Sequence, residues 1–533
     1  MSVKYIASLD VGTTSVRCYI FDGEANVLSK SSEQVDLIYP SPGRVEIEPE
    51  SLLETILLVV REAIKGAGLT VDDISALGIS TQRSTFITWD KNTGEPFHNL
   101  ITWKDLRADS LVRKWNNSLT MKAIRVGSSC LHLLTRNKRY LAGSVLKLMN
   151  TQTTLRLCWC MQNITALREA IAQGNAQFGT LDTWLLYRLT KGRLFATEVS
   201  SASATGMFDP FTGRWAGWAL TLFSIPADIL PQIMDTAGSF GSTHPDIFGS
   251  PLRIACSISD QSASMWGSQC FSKGDLKVTL GTGSFLDVNT GSTPHASVSG
   301  LYPLVGWRLF DGETVYVAEG AANDAGSLIQ WAIKTDLVKN ADETSSLAKS
   351  VDDSDGVFFI PAFSGLGAPV HDHRAATGFL GLRPTTTRAH MIRALLESVA
   401  FRVAQLYVCT KREVGFAFKK IRVDGGVSRN SFLCQLLADL TALPVERGPP
   451  EMSVLGAALL AGLTVGMWRS KDELHSVHKT NDTFLPNLHR HESIVNTMEQ
   501  WERAVERFRD WYEPQSIESK HLRHNLNTKI SEK

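Results

Sequence analysis

Two short hydroxyl-bearing turns, each set between β-prone runs and lying roughly half the chain apart, constrain this sequence more than any other feature. The first is Asp10-Val11-Gly12-Thr13-Thr14-Ser15-Val16-Arg17, entered from Tyr5, Ile6, Ala7 and Leu9 and left through Cys18, Tyr19, Ile20 and Phe21. The second is Gly281-Thr282-Gly283-Ser284, between Leu276-Lys277-Val278-Thr279-Leu280 and Phe285-Leu286-Asp287-Val288. Each reads as a hairpin whose tip offers backbone N–H groups and hydroxyls to an anion. In the first, Gly12 lets the backbone approach a ligand closely, Thr13 and Thr14 add hydroxyls, and Arg17 brings a forked cation suited to phosphate. Asp10 is a hard carboxylate of the kind that holds magnesium. The spacing is not that of a P-loop. Repetition predicts a duplicated domain with a nucleotide between the halves, and a third turn, Val423-Asp424-Gly425-Gly426-Val427-Ser428-Arg429-Asn430, suits an adenosine contact.

Length and charge narrow the partners. At 533 residues the chain exceeds a single core, so two large domains are expected. The formal net charge is +0, and nothing in it points to nucleic acid or an anionic membrane as partner, both of which favour a basic face. Eight scattered cysteines lack the spacing of a zinc site or disulfide framework and read as buried thiols of a reducing compartment, Cys158 and Cys160 included. There is no charged-then-apolar N-terminal signal, and no uncharged apolar run reaches the roughly 18 residues of a membrane helix, so a cytoplasmic protein without membrane insertion is expected.

Along the chain, Ser51 to Gly66 repeats apolar residues at helical spacing and Ile74 to Ile79 returns as a buried strand. That alternation predicts a largely parallel sheet covered by helices. From Thr120 to Gln177 the pattern is helical but irregular, and its basic patch, Arg136, Lys138 and Arg139, reads as a solvated face. Residues 1–253 are expected to form the first domain and 254–470 the second, opening with the strand Ile254 to Ile258. Helices are expected over Ile392 to Val408 and Phe432 to Leu440, and a small-residue helix over Leu455 to Leu463. The stripe Ile494, Met498, Trp501, Val505, Phe508 and Tyr512 predicts a docking helix within 471–512, and a disordered tail is expected over 513–533.

Asp260-Gln261 follows the expected strand end, where a carboxylate faces the cleft of an α/β sheet and can take a proton from a substrate hydroxyl. Arg83 and Gln82, at the end of the Ile74 strand, are suitable hydrogen-bond donors, and Trp103 and Phe285 could wall an aliphatic substrate.

The motifs Gly78-Ile79-Ser80-Thr81-Gln82-Arg83, Phe178-Gly179-Thr180-Leu181-Asp182-Thr183-Trp184-Leu185, Gly365-Leu366-Gly367-Ala368-Pro369 and Leu455-Gly456-Ala457-Ala458, together with the three turns, resemble the FGGY family of sugar and polyol kinases. Within that family the chain is most similar to the glycerol kinases, over about Tyr5 to Trp468. The resemblance implies an α/β fold of two duplicated actin/hexokinase/Hsp70-like (ribonuclease H-like) domains with an interdomain ATP cleft. It implies ATP and Mg2+, with Asp260 as base and Asp10 and Asp260 near the metal. Thr13, Thr14, Arg17, Thr282, Gly326, Gln330, Gly426 and Asn430 fall at nucleotide positions. Gln82, Arg83, Ser84, Trp103, Tyr140, Asp260, Gln261 and Phe285 fall at polyol positions. Homo-oligomers and regulatory protein partners stay open.

The departures from the glycerol kinases bear on the acceptor. Ser84 stands where they carry a glutamate, Val145 and Leu148 replace a lysine and a tryptophan, and Val370-His371 replaces an aromatic pair. A charged hydrogen bond contributes roughly 1.5–3 kcal/mol, so the loss at Ser84 weakens glycerol binding unless another group compensates. No equivalent is seen of the loop by which bacterial glycerol kinases bind a sugar bisphosphate. Three readings follow: a kinase making glycerol 3-phosphate, a kinase for another small polyol or a ketose, and an ATP-binding scaffold of low activity.

Overall fold

The computed structural model describes residues 5–449, 451–477, 480 and 482–512. The tail expected over 513–533 lies outside these. Two mixed sheets organise the chain. The first has the order β5-β4-β1-β2-β3, with β1 Tyr5–Val11, β2 Ser15–Phe21, β3 Val27–Gln34, β4 Ile74–Thr81 and β5 Ile254–Ser259. The second has the order β8-β9-β7-β6-β10-β11-β12, with β6 Leu276–Leu280, β7 Ser284–Gly291, β8 Tyr302–Arg308, β9 Thr314–Ala322, β10 Ile421–Asp424, β11 Val445–Arg447 and β12 Asp482–Phe484.

Both expected hairpins form, β1 against β2 and β6 against β7. They also correct the expectation of a largely parallel sheet. In each half the hairpin and its next neighbour pair antiparallel, and parallel pairing is confined to the other side, β1 with β4 and β4 with β5, or β6 with β10 and β10 with β11. A three-residue turn can only reverse the chain, so the two turns themselves impose the antiparallel hairpins.

β5 corrects the domain boundary as well. It is hydrogen-bonded to β4 from Ile254 to Ser259, so a cut at 254 would take an edge strand from the first sheet. The helix α8, Met452–Thr464, crosses back in the same sense: Ser8 Oγ donates to the Val454 carbonyl (2.6 Å), and the helix lies against β4. Its small residues permit this. A Cβ on Gly78 would collide with the Ala457 carbonyl, and one on Gly456 with the Ala263 carbonyl of α4, Asp260–Gly267. One apolar cluster consequently draws Ile6, Ile258, Trp266, Trp307 and Leu460 from both halves. At the C-terminal end the helix Leu488–Phe508 buries Ile494, Trp501 and Val505, and Trp501 Nε1 donates to the Phe359 carbonyl (2.8 Å).

Candidate active site

Register brings the first cluster together. Asp10 lies beside Ser80 in the parallel β1/β4 pair, and Ser259 lies beside Thr81 in the β4/β5 pair, so Asp10, Gln82, Arg83 and Asp260 all emerge at the carboxyl edge of one sheet. Asp10 is buried, with Oδ1 accepting from Ser80 Oγ (2.7 Å) and Oδ2 3.6 Å from Arg17 Nη1. Burial pushes its carboxyl up despite those partners. Arg17 also reaches Glu451 (3.0 Å), just before α8, and so ties the first hairpin to the second half. Trp103 Nε1 donates to Thr13 Oγ1 (2.9 Å), which donates in turn to Gln82 Oε1 (2.9 Å). Gln82 closes the set by donating to the Gly12 carbonyl (3.1 Å) and accepting from Thr85 (3.1 Å).

The second turn is built differently. Gly281 N donates to the Gly283 carbonyl (2.9 Å), while Gly326, at the start of α5 (Gly326–Lys334), donates to the Gly281 carbonyl (2.9 Å). Ala325 and Ser327 both donate to the Thr282 carbonyl (3.0 and 3.1 Å), leaving the Thr282 side chain exposed. A Cβ on Gly326 would stand 2.7 Å from the Gly281 carbonyl and 3.3 Å from Val427 Cγ2. Gly425 (φ +84°) packs against the Leu280 carbonyl in the same way. The second turn, the start of α5 and the third turn thus meet without side chains between them. Among the described residues the N–H groups of Thr282 and Gly283 donate to no backbone carbonyl there. Gln330 lies one helical turn beyond Gly326 and is exposed.

Between the two clusters lies Asp260, the first residue of α4. Its Oδ1 accepts from Gln261 N (2.8 Å) and stands 3.6 Å from Arg83 Nε, and the side chain keeps 30% of its surface exposed. Withdrawal from water pushes its carboxyl up to about 6, Arg83 pulls it down, and Asp10 adds to the upward push. Arg83 is held by Glu319 of β9 (Nη2 to Oε2, 2.5 Å). Glu319 heads a row of cross-strand neighbours, Glu319, Asp287, Lys277, Arg422 and Glu446, on successive strands of the second sheet. Lys277, fully buried, reaches Gln261 Oε1 (3.0 Å), Asp287 (3.5 Å) and Asp424 (3.9 Å), and Gln261 Oε1 also accepts from Thr279 (3.0 Å).

Several expected roles change. Gln82 is buried and its amide supports the first turn. Gln261 accepts from Lys277 and Thr279 at Oε1 only, and its amide nitrogen has no hydrogen bond among the described residues. Asn430 caps the helix Ser431–Thr441 by accepting from Leu433 N (3.1 Å) and donates to Thr344 (3.0 Å), and its backbone N–H and C=O are engaged by Val427 and Cys434 (3.0 and 3.1 Å). Ser84, in a left-handed conformation (φ 60°), turns its hydroxyl onto the Ala204 carbonyl (3.0 Å). Among the described residues no hydrogen bond joins Tyr140, on the helix Lys138–Ser144, to the Arg83 and Asp260 cluster. Phe285 is partly exposed on β7 beside Thr279. Glu319, Lys277 and Glu451 were missed. Their signal is faint: Lys277 and Glu319 are single charges in otherwise mostly apolar strands, as in Leu276-Lys277-Val278-Thr279-Leu280, and Glu451 only precedes a small-residue helix.

Two carboxylates at a sheet edge, an arginine and two bare turns gathered in one place suit an enzyme that transfers a phosphoryl group to an alcohol, and the relatives show that class. Residues 5–267 match the N-terminal domain and 276–465 the C-terminal domain of the FGGY family of carbohydrate kinases, and the chain belongs to that family. The junction between the two matches follows α4, where the sheet pairing puts it. The chain is 48% identical over 514 residues to glycerol kinase 5 of Danio rerio, covering 95% of this chain and 97% of that one. It is 38% identical over 513 residues to glycerol kinase 2 of Thermotoga maritima, covering 96% and 99%. The crystal structure of Plasmodium falciparum glycerol kinase with ADP superposes with a TM-score of 0.83 at 29% identity, covering 95% of this chain and 98% of that one.

Proposed function

We propose that this protein phosphorylates glycerol with ATP, giving sn-glycerol 3-phosphate, with Asp260 as general base. The observation that carries the reading is the position of Asp260: partly open to the cleft, flanked by Arg83 and Asp10, with a carboxyl pushed to about 6. Oδ1 is engaged by Gln261 N and lies near Arg83, which leaves Oδ2 to accept the proton of the substrate hydroxyl. The freed oxygen forms its bond to the γ-phosphorus as the bond to the ADP oxygen breaks, and ADP leaves with that electron pair. The Gly281–Ser284 turn meets the polyphosphate through the N–H groups of Thr282 and Gly283, which, unlike those at the start of α5, donate to no carbonyl among the described residues, and Arg83 orients the acceptor.

A hard cation fits this cleft. Asp10 and Asp260 are carboxylates whose burial outweighs the pull of their arginine partners, and among the described residues no third His, Cys, Asp or Glu joins them in a metal-holding group. Asp10 and Asp260 would hold Mg2+, which when bound neutralises charge on the phosphate oxygens.

The Ser84 hydroxyl, committed to the Ala204 carbonyl, favours a second reading in which the acceptor is another small polyol or a ketose. The test is ADP release with Mg-ATP across glycerol, small polyols and ketoses. Release that depends on glycerol supports the first reading, and release with a different acceptor alone replaces it by the second. Silence across the panel with ATP still bound overturns both.

A further inference from the structure

The helix Leu119–Thr135, α2 here, has only one buried residue, Met121, among seventeen. Leu119, Ala123, Val126, Cys130 and Leu133 follow one another at spacings of four, three, four and three, and Leu134 flanks the last, which gathers them into a stripe about 100° wide. Such a stripe ordinarily faces a core. Here it faces outward: Leu119 is 82% exposed, Val126 64%, Leu133 63% and Leu134 81%. The helix is not free to turn it inward, because its polar side is already committed. Arg125 donates to the Leu146 and Asn116 carbonyls (2.9 and 3.0 Å), and Ser128 Oγ lies 2.6 Å from where a Cβ on Gly143 of the neighbouring helix would stand.

Charge singles out what could cover it. The neutral whole conceals a local excess: between Asp109 and Glu169 the sequence holds four lysines and six arginines and no aspartate or glutamate. Lys122 borders the stripe and Arg136 and Lys138 follow its end. All three are exposed, and among the described residues none is ion-paired. We infer that α2 seats this protein on an anionic membrane surface, with the stripe entering the headgroup boundary and the cations meeting lipid phosphates and carboxylates. A second copy of the chain fits less well, since the stripe has a lysine beside it and no acid to face a partner's lysine. Nucleic acid would leave four exposed branched side chains with nothing to bury against. No described helix is long and apolar enough to cross a bilayer, so the contact is superficial.

The experiment is sedimentation of the full chain with phosphatidylcholine vesicles, with and without phosphatidylserine. Binding to the phosphatidylserine vesicles is expected, at least about tenfold weaker without the anionic lipid and weakened by salt. The double variant Val126→Asp/Leu133→Asp is expected to lose roughly tenfold or more in binding with an unchanged melting temperature, because both positions are solvent-facing. An environment-sensitive fluorophore on the exposed Cys130 should shift to the blue on the same vesicles. Absence of vesicle binding overturns the inference, as does a double variant that binds like the parent. So does a dimer in sedimentation velocity that the double variant dissolves, or binding to an RNA duplex, when either occurs without vesicle binding.

Discussion

The two hairpins share a topology and differ in what they expose. At the first, three polar side chains are engaged, Asp10 with Ser80, Thr13 with Gln82 and Trp103, and Arg17 with Glu451, while Thr14 is exposed. At the second, the Thr282 side chain is exposed and the turn is held by backbone hydrogen bonds from the start of α5. The first is therefore a fixed strut whose side chains connect the acceptor side to the second half. The second is bare backbone, which on the proposed reading meets the phosphates itself. Duplication supplied one hairpin twice, and the neighbours of each copy separated their duties.

The sharpest division is expected at Asp260, which stands between them. Asp260→Asn should lower kcat by about 10²–10⁴ while leaving ADP affinity by calorimetry unchanged. Near-normal turnover would remove the base from the mechanism. The pH profile follows from the same carboxyl: protonated, it cannot accept the substrate proton, so activity should be lost as pH falls through about 6 and be flat above it. Below that point the rate should fall about tenfold per pH unit, and the inflection should be missing from any residual activity of the Asn variant.

Gly326→Ala probes the second turn. Its Cβ would stand 2.7 Å from the Gly281 carbonyl, and overpacking of this kind costs about 1–3 kcal/mol, so the KM for Mg-ATP should rise roughly tenfold with the acceptor KM unmoved. A change in the acceptor KM instead would break the division of labour. On the acceptor side, Ser84→Glu should lower the glycerol KM by about tenfold if glycerol is the acceptor, the scale of one charged hydrogen bond. The smallest contrast is between the turns themselves. Thr13→Val breaks two partly buried hydrogen bonds and should lower stability by about 1–3 kcal/mol, whereas Thr282→Val, at an exposed site, should stay within about 0.5 kcal/mol. Equal losses in thermal melts would show that the two turns are not built differently.

Much of this was legible beforehand. Both hairpins, the small-residue helix and the stripe of the C-terminal helix carry period-2 or period-3.6 signals that depend only on neighbours in sequence. The strand from Ile254 was legible as a strand and misplaced as a domain start, because hydrophobicity reports that a strand is buried and not which sheet it joins. Gln82 and Asn430 were legible as polar groups beside glycine turns. Whether an amide faces a ligand or holds a turn depends on what stands opposite, and for Gln82 that is Thr13, 69 residues away.

The sequence by itself determined the hairpins, their duplicated order and the carboxylate at a strand's end, since these rest on turn chemistry and short-range periodicity. Only the tertiary structure decided that Arg83 is held by Glu319, 236 residues away, and that Lys277 sits under Gln261 and Asp424. Strand register and the crossing of α8 between the halves set those partners, and in a buried setting the partner determines whether a charge is a ligand, a base or a strut.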